Sequence, residues 1–170
     1  MADGWKAFQA KVADLQNVGD PKYVAQAGQI VLSAAKLMCS GFRLSSGELR
    51  NSLGSTVRMT LDGAEAYIGT NKEYASYVEF GTGPVGAKNH QGTAPDAGIV
   101  YTLSPWWIHE NQVDPRAASV YGWPYRDTDQ GRFYRVSGQP AHPYLYPAFE
   151  DNKKLIADIL AKGMEEVFKN

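Results

Sequence analysis

Val57-Arg-Met-Thr-Leu61-Asp62-Gly63-Ala64-Glu-Ala-Tyr-Ile68 carries an apolar side chain at every second position on both sides of Asp62-Gly63. A period of two places alternate residues on opposite faces of a strand, so each arm reads as a half-buried β-strand. Asp-Gly favours the two-residue type I′ turn whose twist matches paired antiparallel strands. That turn sets Leu61 opposite Ala64, Met59 opposite Ala66 and Val57 opposite Ile68 on an apolar face. Arg58 opposite Tyr67 and Thr60 opposite Glu65 form the polar face. Met59 and Ile68 are thus expected to face a core.

A hairpin with one apolar face needs a cover, and the flanking sequence supplies helices. Trp5, Phe8, Val12 and Leu15 recur at steps of three and four, which predicts an amphipathic helix ending at Asn17-Val-Gly-Asp-Pro21. Asp20 as N-cap and Pro21 in the first turn open a second helix through Val24, Ala27, Val31, Ala34 and Leu37, stopped by Ser40-Gly41. Its small residues, with Gly28 and Ala35 beside them, allow close packing. Ser46 to Leu53 suits one or two helical turns, and Asn71 suits the cap of a short helix carrying Tyr74, Tyr77 and Val78 and halted at Gly81. Pro147 opens a last helix lined by Phe149, Ile156, Ile159, Leu160, Gly163 and Val167. Ile99 to Leu103 and Arg132 to Val136 are further strand candidates. The fold class is α+β: an antiparallel sheet with N-terminal helices and a long C-terminal helix, plus a long aromatic- and Pro/Gly-rich loop region.

The chain has 170 residues, with 17 Lys+Arg against 18 Asp+Glu, 44% hydrophobic and 21% charged. This is the make-up of a single domain over residues 1–170 that needs neither metal nor disulfide to hold a core. A net charge of -1 gives no basic excess to neutralise phosphates, so direct nucleic-acid binding is not expected. No apolar run reaches the roughly 20 residues that span a bilayer, and no secretory signal is visible. Cys39 is the only cysteine, which excludes an intrachain disulfide and a cysteine-based zinc site and fits a reducing compartment. His90, His109 and His142 show no metal-ligand spacing, and neither a nucleophile elbow nor a P-loop is present.

Gly81 to Pro147 holds eight of the nine prolines and three of the four tryptophans, so large rings are concentrated where regular structure is least expected. Tyr101, Trp106, Trp107, Tyr121, Trp123, Tyr125, Phe133 and Tyr134 suit a protein interface, a small core under a loop, or a platform for sugars. The interface reading explains both the rings and the sparse secondary structure, with Trp106, Trp107, Trp123 and Arg126 as its principal contacts. Arg116, Arg132 and Arg135 lie among the same rings.

Gly47-Glu-Leu49-Arg50-Asn-Ser52, then Tyr74-Ala-Ser-Tyr77-Val-Glu79-Phe80-Gly81-Thr82, then Gly138-Gln-Pro140-Ala-His-Pro143-Tyr-Leu-Tyr-Pro147-Ala-Phe-Glu150 stand in order along the chain. Together they resemble the tail-component family of long-tailed phages named after phage HK ninety-seven gene product ten. The family's usual Pro-Phe is here Pro143-Tyr144, and Pro84 to Gln130 is insertion-like. The resemblance implies a structural virion protein of the neck or tail-completion region, assembled in the host cytoplasm, with no enzymatic activity and no cofactor. It implies a homo-oligomeric ring meeting other neck, head-connector and tail-tube proteins, with no membrane partner and DNA contacting it only in passage through the ring. A tail terminator is the alternative within that class. A metal-assisted hydrolase using the histidines and a carbohydrate-binding module using the tryptophans are the alternatives outside it.

Elementary geometry gives the motif residues a role as well. Glu79 at the end of a short helix and Gly81, free to take positive φ, turn the chain sharply, with Tyr77 and Phe80 expected inside. Pro140, Pro143 and Pro147 hold the approach to the last helix extended.

Overall fold

The computed structural model describes residues 20–41, 47–61, 63–94 and 98–169, so the helix expected from Trp5 to Leu15 lies outside the described residues. In chain order the elements are α1 (Pro21–Cys39), α2 (Glu48–Ser52), β1 (Gly54–Thr60), β2 (Gly63–Gly69), α3 (Ala75–Phe80) and α4 (Gly83–Lys88). There follow β3 (Trp106–His109), a 3₁₀ turn (Glu110–Gln112), α5 (Pro115–Tyr121), β4 (Tyr125–Thr128), β5 (Gly131–Val136), α6 (Tyr146–Glu150) and α7 (Lys153–Lys169). The mixture of helices with antiparallel sheets is the expected α+β class. The described residues divide into two compact units: one of 20–41, Gly47–Lys72 and Pro147 onward, the other of Glu73–Tyr146.

In the first unit α1 opens as its sequence dictates, with the Asp20 carboxylate accepting the Lys22 N–H at 2.8 Å and Pro21 in the first turn. Val24, Ala27, Gly28, Val31, Leu32, Ala35 and Cys39 are buried, whereas Leu37, expected on the buried stripe, is exposed. The buried row follows steps of four as well as three, which rotates it towards Ala35 and Cys39. Its small residues decide this. A Cβ on Gly28 would stand 2.9 Å from Ser55 Oγ and 3.0 Å from the Ala66 Cβ, so only glycine lets the helix lie this close to the hairpin.

β1 and β2 form the expected antiparallel hairpin in a different register: Thr60 pairs with Gly63, Met59 with Ala64, Val57 with Ala66 and Ser55 with Ile68. Gly63, expected in the turn, is therefore a paired strand residue, and Asp62 lies outside the described residues. Moving every partner by two keeps each side chain on its expected face, so the alternation specified the faces but could not specify the partners. The register sets small Ser55 and Ala66 where Gly28 approaches. Met59, expected in the core, is 57% exposed, and Leu61 at the tip is 97% exposed.

α7 packs on α1 through Gly163, where a Cβ would be 2.6 Å from Tyr23 Cδ2. Ile159 and Gly163 are buried and Ile156 and Leu160 half-buried, as the stripe predicts. The single helix expected from Pro147 is two helices, divided at Asp151-Asn152, where the Asn152 side-chain amide donates to the Ala148 carbonyl at 2.9 Å. Phe149 is exposed, and Ala148 takes the buried position.

In the second unit β3, β5 and β4 form an antiparallel sheet with β5 in the centre. The Arg132 to Val136 strand lies within β5, but Ile99 to Leu103 joins no sheet. The region Pro84 to Gln130, expected to be mostly loop, contributes most of α4 together with β3, α5 and β4. α5 starts at Asp114-Pro115 with the Asp114 carboxylate accepting the Arg116 N–H at 2.8 Å, repeating the signal that opens α1.

Candidate functional site

The two motif segments of the second unit are pressed together, backbone against backbone. Thr82 N–H donates to the Gln139 carbonyl at 2.9 Å, and Val85 N–H to the Ser137 carbonyl at 3.1 Å. In return the Ala141 N–H reaches the Asn89 carbonyl and the His142 N–H the Val78 carbonyl, each at 2.8 Å. Glycine makes the approach possible. Gly81 has φ +74 and a Cβ there would meet Gln139 O at 2.7 Å, while a Cβ on Gly138, at φ +86, would lie 1.8 Å from Thr82 O. No L side chain fits either place.

Glu79 holds the next turn of the same contact. It is 4% exposed, and its carboxylate accepts the N–H groups of Tyr144 at 2.7 Å, Leu145 at 2.9 Å and Tyr146 at 3.0 Å. Three donors from consecutive residues satisfy a buried charge that would otherwise be costly to desolvate. α3 presents Ala75 and Glu79, four apart, to the interior. Consequently Tyr77, expected to be buried, is 58% exposed, and Phe80 is only half-buried, its carbonyl accepting the Tyr101 hydroxyl at 2.8 Å. α3 begins at Tyr74 with no side-chain cap, so Asn71 does not cap it. Gly81 ends it as expected.

The remaining motif residues take separate places. Leu49 is buried in α2 and Arg50 beside it is exposed. Pro140 and Pro143 lie in the stretch without regular secondary structure that leads to α6, and Pro147 is the second residue of α6. Sequence reasoning saw Glu79 as a turn residue and missed its three partners; an acid amid an otherwise apolar EFG-type turn was the available signal.

The tryptophans do not form one patch. Trp106 and Trp107 are neighbours on a strand and so point to opposite faces of the sheet. Trp106 joins Trp123 in lining a cavity of about 640 Å³ with Val85, Ile108, Tyr121 and Val136. Trp123 stacks on Tyr121, ring centres 5.6 Å apart. Trp107 lies on the other face, where the exposed Arg126 guanidinium sits 4.3 Å above its ring and 5.9 Å from Phe133. His109 packs edge-on against Phe133 on that side, and its Nε2 meets the Gln130 carbonyl at 2.8 Å, which raises its pKa above the usual histidine value. Arg132, on the cavity-side row of pairs, grips Asp127 with two hydrogen bonds of 2.7 and 3.1 Å and lies 4.0 Å over the Tyr125 ring. That guanidinium holds the Asp127 carboxyl below the usual carboxylate range. Arg116 pairs with Asp114 at the start of α5. Arg126 and Arg135 make no ion pair among the described residues.

His90 and His142 sit apart from His109 in the hydrogen-bond network: His90 Nδ1 meets the Ala87 carbonyl, and His142 is held through its backbone. Among the described residues no three His, Cys, Asp or Glu side chains gather as a metal site. No helix among them is long and apolar enough to cross a membrane.

Residues 6–81 match the family described as "Bacteriophage HK97-gp10, putative tail-component", the family that the sequence motifs resemble. The matched span takes in α1, the Gly47–Ser52 element, the hairpin and α3 to Gly81. The match supports a structural role in a phage tail or neck, and with it a place in the virion among other phage structural proteins. No curated protein and no solved structure matches the chain.

Proposed function

We propose that this chain is a neck or tail-completion protein that forms a homo-oligomeric ring joining the head connector to the tail. The observation that carries the reading is the match of residues 6–81 to a phage tail-component family, ending on the very turn that Glu79 and Gly81 build. A backbone clasp of this kind supports it, because a ring closes only if every subunit presents the same surfaces at the same angle. Trp107 and Arg126 on the exposed sheet face are the proposed neighbour contacts, with Trp106 and Trp123 shaping the opposite side. Aromatic and arginine side chains are the usual anchors of protein interfaces.

A phage carrying a nonsense codon in this gene should give filled heads and separate tails under the electron microscope, joined again when the chain is supplied in trans. Normal joined virions from the nonsense phage would overturn the reading. Trp107→Ala/Arg126→Ala protein that folds yet restores joining as well as wild type would remove these two residues from the interface.

A further inference from the structure

We propose that Ile99–Leu103 is a strand exchanged between copies of this chain, adding to the open edge of β4 in a neighbouring subunit. The proposal rests on the self-association in the reading above and supplies the contact for it. Ile-Val-Tyr-Thr-Leu is built from residues that favour strands. Yet among the described residues no backbone N–H or C=O from Ile99 to Leu103 has a hydrogen-bond partner. Val100 is 94% exposed and Leu103 76%. The segment is anchored at its middle, where the Tyr101 hydroxyl donates to the Phe80 carbonyl, so it is presented at a fixed place.

The acceptor edge is on the same chain. β4 is the one described strand whose four residues are all exposed, and β5 occupies only one of its sides. The Arg135 N–H donates to the Pro124 carbonyl at 2.8 Å, which puts residues 124, 126 and 128 in hydrogen-bonded pairs with β5. By the alternation of an antiparallel ladder, the N–H and C=O groups of Tyr125 and Asp127 then point out of the sheet. One chain thus carries a strand without a sheet and a sheet edge without a strand. A second copy satisfies both, and because donor and acceptor are different surfaces the contact is head-to-tail, the kind that closes a ring.

The lone cysteine, Cys39, is buried, so introduced cysteines report the contact without interference. In Val100→Cys/Arg126→Cys and Thr102→Cys/Arg126→Cys proteins, oxidation should give intermolecular disulfide dimers and higher species in at least one pair, since the segment's centre lies across from the middle of β4 in either strand direction. Val100→Pro/Thr102→Pro removes two N–H groups and should weaken association by roughly tenfold to a hundredfold in analytical ultracentrifugation. Val100→Thr, which keeps strand preference and loses only the apolar surface, should associate like wild type. Circular dichroism confirms that each variant folds. Wild type and the proline variant assembling equally, with no cross-link, would overturn the strand exchange while leaving the ring intact. A wild-type protein monomeric up to its solubility limit would also overturn it, and head–tail joining by the nonsense phage then decides the functional reading separately.

Discussion

Glu79 is the residue on which the second unit turns. Its buried carboxylate accepts three main-chain N–H groups, and truncation leaves all three donors without that partner, one of them buried and two partly buried. Losing a charged acceptor from several buried donors costs about 3–5 kcal/mol, a large share of a domain's stability. Glu79→Ala is expected to melt well below wild type in a thermal denaturation scan followed by circular dichroism. Glu79→Gln, which keeps one acceptor oxygen but turns an amide N–H₂ towards the donors, should fall between them. Equal melting of all three would show that the carboxylate contributes nothing. Locally there is little warning: between Val78 and Phe80 an acid reads as the solvent side of a short helix. The burial is set by residues 65 to 67 positions away, whose approach no local pattern encodes.

At the scale of elements, caps and alternation were legible and partners were not. Asp20-Pro21 opened α1 as read, and Gly81 closed α3. The hairpin faces were right while the register moved by two, because the turn alone could choose between them. β3 and β4 escaped for a different reason. Trp106-Trp-Ile-His109 and Tyr125-Arg-Asp-Thr128 show no clean alternation, and β5 between them is what makes them strands. The packing of α7 on α1 yields a pH prediction. The Tyr23 hydroxyl donates to the Glu166 carboxylate, and this, with burial, pushes its pKa from 10.0 to about 12. The neutral phenol is the form the fold prefers, so its stabilisation is complete below pH 10.0 and is lost as pH rises from there to about 12. Tyrosinate absorbance should show a group titrating near 12, later than Tyr67, which its hydrogen bond to Glu65 also raises, and Glu166→Gln should bring that latest group back towards 10.0. A Tyr23→Phe protein in which that late group persists would refute the assignment.

The molecule as a whole has two compact units, whereas its length and composition suggest one domain. We expect a single transition in denaturant, with equal calorimetric and van't Hoff enthalpies, as one cooperative domain shows. Two resolved transitions would make each unit a domain in its own right. Probes are at hand for each: Tyr23 ionisation for the first, and Trp106, Trp107 and Trp123 fluorescence for the second.

The grip of Glu79 on the main chain has a consequence for how this protein can change over time. A carboxylate that holds N–H groups does not distinguish one side chain from another, so the contact is indifferent to spelling at Leu145 and Tyr146, which are only half-buried. Tyr144 is constrained separately, by the enclosed space its ring fills. Proline is the one letter the grip refuses at all three places, because it brings no hydrogen to be held. Pro143-Tyr144 shows both demands met side by side: the large ring fills its enclosed space, and the Tyr144 amide is held, so the latch shuts.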